Sequence, residues 1–122
     1  MNTPICDFVN SYIDKKSTRL HMPGHKGKGG LCEAFDITEV DGADVLYSAE
    51  GIIEESQNNV SALFSTKATF YSCEGSSLCI RAMLYLALIA SGKKSRRVVA
   101  ARNVHKTFLS ATALLDLDVY LI

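Results

Sequence analysis

Two short runs of this chain hold residue types that could do chemistry. In the first, Lys67-Ala68-Thr69-Phe70-Tyr71-Ser72-Cys73-Glu74-Gly75-Ser76-Ser77, a β-leaning stretch ends in a polar turn with one glycine and two adjacent hydroxyls, and a helix-forming apolar run follows at once. Gly75 lets the backbone come close to an anion, the first N–H groups of the new helix lack intrahelical acceptors, and Ser76 and Ser77 can add hydroxyl donors. These are the requirements of a phosphate. In the second run, Arg102-Asn103-Val104-His105-Lys106 follows a strand-like segment about one βαβ unit later and sets an imidazole at another strand end. Each run has a plainer reading, since polar turns before helices are common N-caps and a histidine at a helix start can be a surface residue. Together, at neighbouring strand ends, they describe a phosphorylated planar cofactor, its phosphate on the helix N-terminus and its ring against His105.

Other candidates carry less. His21 and His25 are four apart, the spacing of metal ligands on one helix face, but Pro23 and Gly24 between them deny the helix and no third ligand is evident, so no metal is expected. The run Gly24-His25-Lys26-Gly27-Lys28-Gly29 invites a nucleotide-loop reading. It has no Ser or Thr after the lysine, no strand before it, and matches neither the Walker pattern nor GxGxxG. Cys73 and Cys79 lie near the phosphate turn, but a catalytic thiol needs a base and only His105 is at hand, so cysteine catalysis is not favoured.

The elements that must position these residues read as follows. Pro4 to Lys15 carries Ile5, Phe8, Val9, Tyr12 and Ile13 in the i, i+3, i+4, i+7, i+8 stripe of an amphipathic helix. His21 to Gly30 is a loop, because its glycines and proline exclude regular helix. The stretch from Phe35 to Tyr47, with Asp36, Glu39, Asp41 and Asp44, has no clean period and is irregular. Ser48 is the expected N-cap of a helix running to Phe64, with Glu50 in its first turn and Ile53, Val60, Leu63 and Phe64 as its core face. Then strand 67–72, helix 76–91, strand 97–101, helix 105–115 and strand 118–122 alternate. This predicts an α/β chain with a mainly parallel sheet, right-handed helical crossovers and helices on both faces, in a three-layer αβα arrangement. Ligands of such sheets collect at the carboxyl ends of the strands, here Cys73 to Ser77 and Asn103 to His105.

A chain of 122 residues makes one domain at most, small for a complete metabolic enzyme. Thirteen basic residues balance thirteen acidic ones, so charge does not point to nucleic acid. The cluster Lys93-Lys94-Ser95-Arg96-Arg97 sits where a helix should end, and reads as complementing a helix C-terminal dipole. Cys6, Cys32, Cys73 and Cys79 have no CxxC spacing and no secretory leader before them, which suggests free thiols in a reducing cytoplasm. The apolar run Met83 to Ala90 is far short of the roughly 20 residues of a membrane span. Asp118 to Ile122 reads as an interior strand at the point where the chain stops, so the sequence is expected to be truncated.

His21-Met22-Pro23-Gly24-His25-Lys26-Gly27, Asp36-Ile37-Thr38-Glu39-Val40-Asp41, Gly75-Ser76-Ser77 and Arg102-Asn103-Val104-His105-Lys106-Thr107 together resemble the N-terminal part of the large domain of the ornithine/lysine/arginine decarboxylases. The resemblance covers nearly the whole chain. It implies a pyridoxal 5′-phosphate enzyme of the aspartate aminotransferase-like fold (fold-type I), with residues 1–47 an N-terminal helix and Gly-rich loop segment and residues 48–122 the first half of the cofactor-binding large domain. Residue by residue, Gly75, Ser76 and Ser77 match the loop that holds the cofactor phosphate, with serine in place of the usual threonine, and His105 matches the histidine stacked on the pyridine ring. Lys106 is not the Schiff-base lysine by this match. That lysine, and the aspartate facing the pyridine nitrogen, belong to later strands in the family, so the resemblance implies no catalytic residue in this chain and no activity by itself.

For the complete enzyme the resemblance implies loss of carbon dioxide from a basic amino acid, toward polyamine precursors, in a cytoplasmic homo-oligomer with no nucleic-acid or membrane partner. Two other readings stand beside it: a non-catalytic remnant or regulatory subunit that pairs with a full-length relative, and an independent phosphate-ligand-binding α/β domain.

Overall fold

The computed structural model describes residues 2–92 and 95–122. The chain divides into two compact units, Met1–Tyr71 and Ser72–Ile122.

In the first unit, helix α1 (Pro4–Asp14) begins with Pro4 at a position where the missing N–H costs nothing. The Asp7 carboxylate reaches back to accept the Thr3 N–H and hydroxyl, each at 3.0 Å. The predicted stripe Ile5, Phe8, Val9, Tyr12 and Ile13 is half-buried, and α1 packs against α2 (Ile52–Phe64). Asn2 ties the pair, accepting from Asn59 Nδ2 at 3.0 Å and donating to the Glu55 carboxylate. Gly42, at φ +82°, faces the Phe8 ring, and a Cβ there would stand 3.2 Å from it.

The start of α2 corrects the expectation of a Ser48 cap. Ser48 closes a short 3-10 turn, Leu46–Ser48, and Gly51 is the N-cap. The capping oxygens come from Asp44 instead. Its Oδ1 accepts the N–H groups of Val45 at 2.7 Å and Glu50 at 3.1 Å, and its Oδ2 those of Gly51 and Ile53, both at 2.9 Å. A full negative charge at a helix N-terminus is a stronger partner than a hydroxyl. Partial desolvation pushes the Asp44 pKa up, but the four N–H groups outweigh it and hold it at about 2. Leu63 and Phe64, expected in the core, are 62% and 69% exposed, while polar Gln57 is buried. Ile53 and Val60 are half-buried as predicted.

Residues 67–72 form no strand. A β-leaning sequence needs a neighbour to pair with, and among the described residues none lies beside it. Its hydroxyls bond to α2: Tyr71 Oη lies 2.7 Å from Ser56 Oγ, and Thr69 Oγ1 accepts from Ser61 Oγ at 3.0 Å.

The second unit follows the predicted order to within two residues at each element end: α3 (Gly75–Ala90), β1 (Arg97–Ala100), α4 (Lys106–Leu114) and β2 (Asp118–Leu121). The strands pair in parallel, Arg97 opposite Asp118 through Ala100 opposite Leu121, with α4 as the crossover that parallel pairing requires. The chain is thus mixed α/β with a two-stranded parallel sheet. Helix α3 packs against α4, and this unit's buried residues are Leu84, Leu88, Ala111, Thr107 and Thr112. Val98 and Val119 are half-buried, whereas Val99 and Tyr120 are 63% and 54% exposed.

Arg96 does serve a helix C-terminus, but that of α4 rather than α3. Its Nη1 donates to the carbonyls of Leu115 and Asp116 at 3.1 and 3.0 Å and pairs with the Asp116 carboxylate at 3.0 Å. Lys93 and Lys94 of the same cluster lie outside the described residues. No helix among the described residues is long and apolar enough to cross a membrane.

Candidate functional site

Gly75, Ser76 and Ser77 form the first turn of α3. The polar turn before them is closed by the Glu74 N–H donating to Ser72 Oγ at 3.1 Å. Gly75 has φ +65°, which disfavours any residue with a Cβ. A Cβ built there would meet nothing within 4 Å, so the backbone conformation favours glycine while the space beside it is open. Among the described residues no acceptor meets the N–H groups of Gly75, Ser76 or Ser77, and the Glu74 side chain does not cap the helix. Ser76 is exposed and Ser77 half-buried.

His105 is the N-cap of α4. Its Nδ1 accepts the Thr107 N–H at 3.2 Å and lies 3.0 Å from Thr107 Oγ1. A ring nitrogen that accepts an N–H carries no hydrogen of its own, so the imidazole hydrogen is on Nε2. Thr107 is buried, and its hydroxyl also lies 3.3 Å from Ser77 Oγ. Ser77, Thr107 and His105 therefore form one line of polar contacts joining the first turn of α3 to the first turn of α4. Sequence reasoning named the two ends of this line and gave Thr107 no part in it. The available signal was a threonine two residues after a capping histidine, the spacing at which a cap accepts a backbone N–H.

Lys106 follows as the first residue of α4 and is exposed. The four cysteines are free and exposed, and no hydrogen bond joins His105 to Cys73 or Cys79.

Side chains organise the Gly-rich loop. His25 Nδ1 accepts the Gly27 N–H at 3.0 Å, which puts the ring hydrogen on Nε2, 2.7 Å from Asp36 Oδ2. Hydrogen bonds from the Thr38 hydroxyl and N–H, aided by His25, hold Asp36 at about 2. Arg19 lies over the Tyr12 ring at 4.6 Å and donates to the Glu33 carbonyl at 3.2 Å. A Cβ on Gly27 would stand 2.7 Å from that guanidinium, so here glycine makes the close approach possible. No cluster of three or more potential metal-ligating side chains occurs among the described residues.

Each unit carries an open pocket. One of about 420 Å³ is bordered by Tyr47, Gln57, Lys67 and Phe70 in the first unit, and one of about 330 Å³ by Leu84, Leu88, Val98 and Leu117 in the second. Neither is lined by Gly75, Ser76, Ser77 or His105. Donor chemistry, rather than a pocket, marks the candidate site.

The family described as Orn/Lys/Arg decarboxylase, major domain, matches residues 3–121. This chain belongs to that family. An arginine decarboxylase of Halalkalibacterium halodurans is 30% identical over 120 residues, covering 89% of this chain and 24% of that protein. An arginine decarboxylase of Bacillus subtilis is 28% identical with the same coverage, and the uncharacterized protein YaaO of the same organism is 27% identical over 124 residues, 93% of this chain and 25% of its own length. The chain spans about a quarter of the length of the curated relatives it matches. No solved structure matches it.

The family implies pyridoxal 5′-phosphate, and the residues present fit that group. Its phosphate would meet three N–H groups without acceptors, an exposed Ser76 hydroxyl, and open space at Gly75. Its ring would find an exposed imidazole fixed through Nδ1. Glu74, at the cap position, opposes an anion there.

Proposed function

We propose that this chain is the N-terminal part of the major domain of a pyridoxal phosphate-dependent decarboxylase, in which arginine, lysine or ornithine loses its carboxyl group as carbon dioxide. Residues 1–47 would be its N-terminal helix and loop segment, and residues 48–122 the first half of a three-layer αβα domain of fold-type I. The observation that carries the proposal is the Ser77–Thr107–His105 line, which ties a helix N-terminus rich in free donors to an imidazole fixed at one edge.

Bound there, the cofactor supplies an electron sink for the carbon that loses its carboxyl group. The chain's own part is to bind and orient. The N–H groups of Gly75, Ser76 and Ser77 and the Ser76 hydroxyl hold the phosphate, where the helix dipole favours negative charge. His105 sets the plane of the ring. Lys106 takes no covalent part, and the chain alone is inactive; the complete enzyme works as a cytoplasmic homo-oligomer feeding polyamine synthesis.

Reading the gene beyond Ile122 and assaying the whole product tests this. The expected result is a continuing frame with a serine-x-histidine-lysine run, whose product releases carbon dioxide from a basic amino acid, while the 122-residue chain releases none. Stoichiometric release by the chain alone, or a folded, cofactor-loaded whole product inert toward all three amino acids, would contradict it.

A further inference from the structure

We infer that Thr107 is a positioning residue: its hydroxyl donates to the Nδ1 edge of His105 and directs the Ser77 hydrogen inward, leaving Ser76 as the free hydroxyl donor of the site. The pattern of hydrogens follows from geometry. His105 Nδ1 already accepts the Thr107 N–H, so it has no hydrogen to give. The 3.0 Å contact between Nδ1 and Thr107 Oγ1 is then a hydrogen bond only if the hydroxyl is the donor. A threonine hydroxyl has one hydrogen, and this contact uses it. The 3.3 Å contact between Ser77 and Thr107 must therefore be made with the Ser77 hydrogen.

Two consequences separate residues that sequence treats alike. Ser77, half-buried, offers its backbone N–H to an anion while its hydroxyl faces Thr107; Ser76, exposed and with no side-chain hydrogen bond among the described residues, can offer both. Burial fixes the arrangement, since Thr107 is 6% exposed and a buried hydroxyl without partners is costly. The functional meaning of this pattern rests on the cofactor reading above, but the pattern itself does not.

The test is therefore made in two arms on the 122-residue chain. In the first, without cofactor, the imidazole nitrogens of His105 are observed by 15N NMR in the wild type, Thr107→Val and Thr107→Ser. The Nε2–H form is expected in all three, because the backbone N–H of residue 107 still donates to Nδ1, with the Nδ1 signal unmoved in Thr107→Ser and displaced in Thr107→Val, which has lost the second donor. Should the valine variant fail to fold, Thr107→Ala is compared with Thr107→Ser, a pair that differs only in the hydroxyl. His105 signals that do not respond to loss of the hydroxyl overturn the inference. In the second arm, pyridoxal 5′-phosphate is titrated: Ser76→Ala should weaken binding about ten-fold and Ser77→Ala less than about three-fold. The reverse order overturns the inward direction of Ser77. No binding by the wild type would sink the cofactor reading and leave the first arm to decide the role of Thr107.

Discussion

Ser77 Oγ and Thr107 Oγ1 meet at 3.3 Å although thirty residues separate them in the chain. The contact lies at the seam where α3 packs on α4, the same packing that buries Leu84, Leu88 and Ala111. Apolar packing thus sets the relative position of two helix N-termini, and the polar residues at those ends inherit it. A site built on two rigid helices holds its donors more closely than one built on loops.

Glu74 is the feature of the site that an anion would not choose. A like charge a few ångströms away costs on the order of 1 kcal/mol in water, so Glu74→Gln should tighten pyridoxal 5′-phosphate binding about five-fold at low salt. The gain should shrink as salt is raised, because the pair is exposed. Unchanged affinity across that salt series would place the phosphate elsewhere.

Asp44 and Asp36 both sit at about 2, below the ordinary aspartate value of 3.8. A carboxylate depressed on folding stabilises fully above that ordinary value and loses its contribution as pH falls through the folded one. The first unit should therefore loosen between about pH 4 and pH 2. Amide signals of Glu50, Gly51 and Ile53 should shift over that range, since Asp44 accepts their N–H groups. In Asp44→Asn these three amides should lose that acid response, while Thr38, held by Asp36, keeps its own.

Much of this was legible from sequence. The α1 stripe, the α3–β1–α4–β2 order, the irregular stretch before Tyr47 and the placing of Gly75 and His105 at helix starts all follow from local signals. Apolar period and turn chemistry act over a few residues, and each of these features is decided at that range. What was not legible depended on partners distant in sequence. Ser48 looked like a cap until a carboxylate seven residues upstream of Gly51 took that duty. Among the described residues, 67–72 had strand propensity but no strand to pair with, and Leu63 and Phe64 had the right period but stand exposed. Thr107 was hidden for the same reason, because its significance comes from Ser77.

The exposed apolar side chains of the second unit make a prediction about association. Val99 and Tyr120 lie on one sheet face and Leu114 at the end of α4, exposed at 63%, 54% and 74%. A two-stranded sheet is marginal in water, and exposed apolar surface on it favours self-association. Sedimentation should show concentration-dependent assemblies of the 122-residue chain, and Tyr120→Lys should shift them toward monomer. A sharply melting monomer at all concentrations would instead favour an independent domain.

The central claim is that the first turn of α3 holds a phosphate while His105 attends the ring. Comparing pyridoxal 5′-phosphate with pyridoxal, which lacks the phosphate, in equilibrium titrations of the same chain tests it most directly. A charge-assisted hydrogen bond contributes about 1.5–3 kcal/mol, so the phosphorylated form should bind at least about ten-fold more tightly, and Ser76→Ala should reduce that preference while the backbone N–H groups keep part of it. Equal affinity for the two compounds, or a preference that survives Ser76→Ala intact, would contradict it.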